Sequence, residues 1–99
     1  EAAQRIEMYY RMGRALDTKL GDRVQAQERF EMALDLDPTH LPSLSALRTI
    51  AVDEADWDRA SRYLEQEQAN TPNPRARAKL LVDLGKLRDE MLGEHALAV

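Results

Sequence analysis

The stretch Asp35-Leu36-Asp37-Pro38-Thr39-His40 is the densest in side chains that could do chemistry. Two carboxylates and an imidazole are ligand types that a divalent cation accepts, but ligands must also converge on one point. A proline between them imposes a turn, so the segment reads as a helix end followed by a loop. His40 and His95 have no partner at ligand or dyad spacing and are expected on the surface at helix starts. Ser43, Ser45 and Ser61 have no histidine base in view along the chain. Asp89 and Glu90 are neighbours, so on a helix their carboxylates point to different parts of its surface. No glycine-rich phosphate loop follows a strand, because no segment reads as a strand. With no cysteine there are no thiolate sites. These residues support neither catalysis nor a metal, and no cofactor is expected.

The elements that must position these side chains follow from composition. Ninety-nine residues allow one domain with a modest core. A hydrophobic fraction of 43% against 32% charged excludes wholesale disorder. Four glycines and five aromatic residues among many Ala, Leu, Glu, Arg and Gln favour helix over sheet. A net charge of −4 with a pI of about 5.1 argues against non-specific binding to nucleic acid or an anionic membrane. No apolar run approaches the roughly 18 residues of a membrane span and no signal-peptide pattern is seen, which makes the cytoplasm the expected location. Beginning on Glu1 and ending on an apolar "EHALAV", the chain reads as a piece of something longer.

Periodicity divides the chain into helices. The first is expected over Ala2 to Leu20 and stopped by Gly21, the second over Arg23 to Leu36, the third over Leu41 to Glu54 with Pro42 in its first turn. Asp56 caps a fourth over Trp57 to Ala69, and Asn73-Pro74 opens a fifth that runs to about Leu92. Gly93 is read as its stop, with a sixth helix begun in the last residues. Connections this short turn neighbouring helices back on each other.

The helices repeat. Ala26, Phe30 and Pro38 recur 34 residues later as Ala60, Leu64 and Pro72, and Gly13, Gly21 and Ala26 recur 72 residues later as Gly85, Gly93 and Ala98. A glycine inside a helix costs about 1 kcal/mol relative to alanine, so Gly13 and Gly85 are expected to admit a close neighbour, with Ala26 and Ala98 as the small faces opposite. Phe30 and Leu64 are expected between successive hairpins, and Tyr9, Met12, Leu16, Leu47, Leu81 and Leu84 are expected to be buried with them.

Tyr9, Met12, Gly13 and Leu16, followed by Gly21, Ala26, Phe30, Ala33 and Pro38, resemble the tetratricopeptide repeat. Leu44, Leu47, Ala51, Ala60, Leu64 and Pro72 give a second, weaker copy. It departs from the pattern at Arg48 for a small residue, at Ala55 for the turn glycine, and at Glu67 in the place of Ala33. The resemblance implies an all-α, right-handed superhelical solenoid of antiparallel hairpins, with repeats at 1–38 and 39–72 and a partial third at 73–99. It also implies a concave groove that holds a peptide or helix of a partner protein.

The family's groove positions fall on Glu7, Tyr10, Arg14 and Asp17, on Ser45, Thr49, Val52 and Asp53, and on Lys79, Val82, Lys86, Asp89 and Glu90. The family's chaperone-tail clamp is not expected, since Tyr10, Arg14 and Ala46 stand where it needs lysine and asparagines, and Asp83 replaces its closing cation. The resemblance thus implies a protein-binding module; the alternative is a helical regulatory or linker segment of a larger protein whose activity lies elsewhere. Asp17, Asp53, Asp89 and Glu90 are expected either to pair locally, Arg14 with Asp17 and Lys86 with Asp89, or to form an acidic rim for a partner with basic residues. The incomplete third hairpin predicts self-association through residues 80–99.

Overall fold

The computed structural model describes the backbone of residues 1–98 and the side chains of residues 1–90. Five helices follow in order: α1 (Ala2–Thr18), α2 (Arg23–Leu36), α3 (Leu41–Asp53), α4 (Trp57–Asn70) and α5 (Pro74–Ala98). No strand occurs among the described residues, so the chain is all-α. Each helix packs on the next, α1 on α2, α2 on α3, α3 on α4 and α4 on α5.

The two turns that close the first four helices into pairs share one local device. Gly21 has φ +63° and Ala55, 34 positions later, has φ +56°. Each stands directly before an aspartate that caps the following helix. Asp22 accepts the Gln25 backbone N–H at 3.1 Å, and Asp56 accepts that of Arg59 at 3.3 Å. The left-handed conformation costs a residue with a Cβ roughly 1–2 kcal/mol, partly offset by the entropy a glycine would lose. Ala55→Gly is therefore expected to stabilise the chain by roughly 0.5–1 kcal/mol in urea denaturation. An unchanged or lower midpoint would mean that Ala55 carries no strain. Asn73 opens α5 in a similar way, its Oδ1 accepting the N–H groups of Arg75 and Ala76 at 2.9 and 3.3 Å.

Two apolar clusters hold the helices together. Ala26, Phe30, Leu47 and Ile50 form the first, with Tyr10, Leu16 and Tyr63 packed against it, so Phe30 joins α1 and α2 to α3. Ala51, Ala60, Leu64, Leu84 and Leu87 form the second, flanked by Val52, Trp57 and Leu80. Leu64 thereby ties α3 and α4 to α5. Phe30 lies face to face with Gly13. A Cβ built on Gly13 would stand 2.7 Å from the Phe30 ring, so the nearest neighbour of this glycine is the ring.

Several expectations need correction. Gly93 does not stop the fifth helix, because α5 runs on to Ala98 and no sixth helix follows among the described residues. A glycine weakens a helix without ending it unless a cap and a packed successor follow. Gly21 has Asp22 and α2, whereas Gly93 is followed by Glu94, which is not a preferred cap. Met12 is 38% and Leu81 51% exposed. α1 packs chiefly on α2 and α5 chiefly on α4, so each keeps an uncovered side. Tyr9 and Leu16 are half-buried, while Phe30, Leu47, Leu64 and Leu84 are buried as expected. Within the 80–99 segment expected to drive self-association, Leu84 and Leu87 are covered within the chain; the side chains of Met91 and Leu92 lie outside the described residues.

Candidate functional site

Two cavities lie between α3 and α5, floored by α4. One, of about 240 Å³, is walled by Leu41, Ser45, Arg48, Lys79, Leu80 and Asp83, with Glu67 and Thr71 beneath. The other, of about 320 Å³, is walled by Val52, Trp57, Leu87, Lys86 and Glu90, with Leu64 beneath. Arg48 and Asp83 border both, so the two cavities form one groove with a charged waist. A larger hollow of about 500 Å³ lies along Ala3, Glu7, Met8 and Met12. All its walls come from α1, which makes it a furrow between side chains of one exposed helix and not a cleft between elements.

The waist is built from the two departures noted in the second repeat. Arg48 Nε donates to Glu67 Oε1 and Oε2 at 3.1 and 3.0 Å, and its Nη2 donates to Ser45 Oγ at 3.3 Å. Glu67 is 3% exposed. Burial pushes its carboxyl above the ordinary 4.5, Arg48 opposes that shift, and the nearby charge of Asp83 adds to it. Asp83 makes no ion pair or hydrogen bond among the described residues. Sequence reading did not place Glu67 in the groove, and met Asp83 only as the residue in place of the clamp's closing cation. The signal available for Glu67 was a charged residue at a position where the companion repeat carries alanine.

The expected groove residues divide into three groups. Ser45, Val52, Lys79, Lys86 and Glu90 line the two cavities. Val82 and Asp89 are exposed outside them, and the Thr49 hydroxyl donates to the Ser45 carbonyl at 3.0 Å. The α1 set is separate. Tyr10 packs its ring 5.8 Å from Phe30 and 5.7 Å from His40, which makes it a core residue more than a contact for a ligand. Glu7 pairs with Arg11 at 2.9 Å, and Arg14 is exposed.

The acidic rim is reduced in the same way. Asp17 does not pair with Arg14. Instead Arg23 of α2 donates through Nε to Asp17 at 3.1 Å and through Nη2 to Asp53 at 2.8 Å, tying the two hairpins together. The hydrogen bonds to Asp53 and then Asp17 raise the Arg23 pKa. Both carboxylates are thus engaged by one guanidinium, which leaves the trio with a single net negative charge. Lys86 and Asp89 do not meet at ion-pair distance, so the uncompensated acids beside the groove are Asp83, Asp89 and Glu90.

The Asp35–His40 segment is a turn. The Asp37 carboxylate accepts the Thr39 N–H at 3.0 Å and its hydroxyl at 2.7 Å, which holds the acid below its ordinary range. Among the described residues no three His, Asp or Glu side chains converge as a metal site. One correction concerns Ser43, which does have a histidine partner: its Oγ lies 2.7 Å from His40 Nδ1. His40 is the residue before α3 and Ser43 is three positions on, so the pair closes the first turn of that helix. Ser43 is fully buried, which denies it a substrate. No helix among the described residues is long and apolar enough to cross a membrane. In comparisons with known proteins, no family model, no curated protein and no solved structure matches the chain.

Proposed function

We propose that this chain is a tetratricopeptide-like protein-interaction module, a short solenoid of hairpins that binds a partner's peptide in the groove between α3 and α5. The observation that carries this reading is the two-part groove itself, an apolar cavity around Val52, Trp57 and Leu87 joined to a polar one across the Arg48–Asp83 waist. Pockets with apolar walls and a few placed polar groups favour a segment that offers one large apolar side chain and polar neighbours. The uncompensated Asp83 and Glu90 favour a basic residue next to that anchor. The solenoid reading draws support from the turns, where a left-handed residue and an aspartate cap recur 34 positions apart, and from the consecutive packing of each helix on the next.

A displayed random-peptide library panned against the full chain tests the reading. Selected peptides are expected to share a large apolar residue with a basic neighbour. Val52→Arg is expected to weaken their binding at least tenfold, and Glu7→Ala on the α1 furrow to leave it unchanged. Peptides indifferent to Val52→Arg, or none selected at all, would overturn it.

A further inference from the structure

Ala78, Leu81, Val82 and Gly85 follow one another at i, i+3, i+4 and i+7 on α5, the spacing of one helical face. All four are exposed, Leu81 at 51% and Val82 at 58%. They lie away from Leu80, Leu84 and Leu87, which face α4. Seventy-two positions earlier the same face of α1 carries Ile6, Tyr9, Tyr10 and Gly13, all at least partly buried. What differs is a cover. On α1 the Phe30 ring of α2 comes within 2.7 Å of where a Gly13 Cβ would be, with Tyr10 beside it. At Gly85 nothing comes within 4 Å. Glycine is the poorest helix former after proline, and here it leaves an empty notch beside two exposed branched side chains.

The charge around that face is distinctive. Between Pro74 and Glu90 there are five basic residues and three acids, still a basic excess in a chain whose net charge is −4, with Asp89 one turn beyond Gly85 on the same face. Arg88 is paired with Glu65, but Arg75, Lys79 and Lys86 make no ion pair among the described residues. On the helix these three run along the Val82 edge of the stripe.

We infer that the Leu81–Gly85 face of α5 is a second docking surface, for an acidic amphipathic helix of a partner protein that seats an aromatic ring in the Gly85 notch as Phe30 is seated over Gly13. The apolar stripe supplies the helix-in-groove contact, the notch selects a ring, and the basic border selects the sign of the partner's flanks. The apolar stripe lies outside the α3/α5 groove, although Lys79 and Lys86 on its border also line that groove, and it does not depend on the groove binding anything.

The chain's own segment 22–38 is a suitable probe. It carries Phe30 on an amphipathic helix with five acidic and two basic side chains. Titrated as a labelled synthetic peptide into the intact chain, it is expected to bind saturably, to shift the amide resonances of Leu81, Val82 and Gly85, and to weaken as salt rises. Replacing Phe30 by Ala in the peptide is expected to weaken binding at least tenfold. Gly85→Val in the protein should do the same without lowering Tm, and Arg75→Glu should weaken it several-fold. Val52→Arg is expected to have no effect, which separates this surface from the groove. The inference is overturned if binding ignores Gly85→Val, or if the shifts centre on Gly13 because the peptide displaces α2. It is equally overturned if vesicles of three parts phosphatidylcholine to one of phosphatidylserine bind the face and the peptide does not. Sedimentation showing the chain's own dimer abolished by Gly85→Val would replace the partner with a second copy, and overturn it too.

Discussion

Phe30→Ala is expected to lower the free energy of unfolding by about 3–5 kcal/mol, the cost of emptying a fully packed aromatic site. A chain of this length is stable by only about 5–15 kcal/mol, so the variant would lose a large share of its margin. The loss has two sources. Ring burial against Ala26, Leu47 and Ile50 disappears, and so does the filling of the space that Gly13 leaves open. The second source can be isolated. Gly13→Ala alone forces a methyl group to within 2.7 Å of the ring and is expected to cost about 1–3 kcal/mol as overpacking. In the Phe30→Ala background the same change should instead gain roughly 1 kcal/mol, the ordinary helix preference of alanine over glycine. Gly85→Ala, with open space around it, should show that gain in the unaltered chain. Urea denaturation of the four variants checks the cycle. A Phe30→Ala loss within half a kilocalorie, or a Gly13→Ala effect of constant sign, would remove Phe30 from its place between the hairpins.

Removing Arg48 is the second large effect. Arg48→Ala leaves the carboxylate of Glu67 buried with Asp83 nearby and no cation, and truncation of one partner of a buried pair typically costs about 3–5 kcal/mol. Arg48→Ala/Glu67→Ala should cost much less than Arg48→Ala alone, since the charge that needed compensation has gone. The second repeat would then resemble the first at both positions.

The pH dependence has a definite sign. The folded-state pKa of Glu67 is raised above its ordinary 4.5, so the native chain binds this proton more tightly than the unfolded chain does. The stabilisation from that proton is fully present below about 4.5 and is lost as pH rises through the folded pKa. Lowering the pH from neutral should therefore shrink the penalty of Arg48→Ala, and the difference between the unaltered chain and Glu67→Gln should vary over the same interval. Equal stabilities of the single and double variants at every pH would mean that Arg48 and Glu67 are not coupled.

Local signals in the sequence carried most of the fold. Asp56 and Asn73 marked helix starts because a cap needs only its own next three residues, and the span Arg23–Leu36 agrees between sequence and structure. Contacts between distant residues were not legible. Arg48 and Glu67 each read as a departure from the repeat, yet nothing in the spacing showed that they answer each other across two helices. Arg23 was unremarked, although it binds two carboxylates of the rim and offsets one of their charges. Met12 and Leu81 were read as buried because a helical stripe tells which face is apolar, not whether a neighbour covers it. The groove was half legible. Five of its lining residues follow from the repeat register, while its floor at Glu67 and its waist at Asp83 depend on how α4 and α5 meet.

Trp57 is the chain's one tryptophan, and it stands at the start of α4 in the wall of the apolar cavity, packed against the second cluster. The first hairpin has tyrosine and phenylalanine but no indole. The molecule therefore carries an intrinsic optical label that reads one half of itself. Indole emission follows the α3–α5 half and the filling of its cavity, while far-ultraviolet circular dichroism averages over all the helices. Because the strongest packing runs between consecutive helices, the two signals need not melt together. A gap between their midpoints would measure how strongly the Arg23 bridge and the Phe30 cluster couple the halves, with no added dye and no change to the sequence.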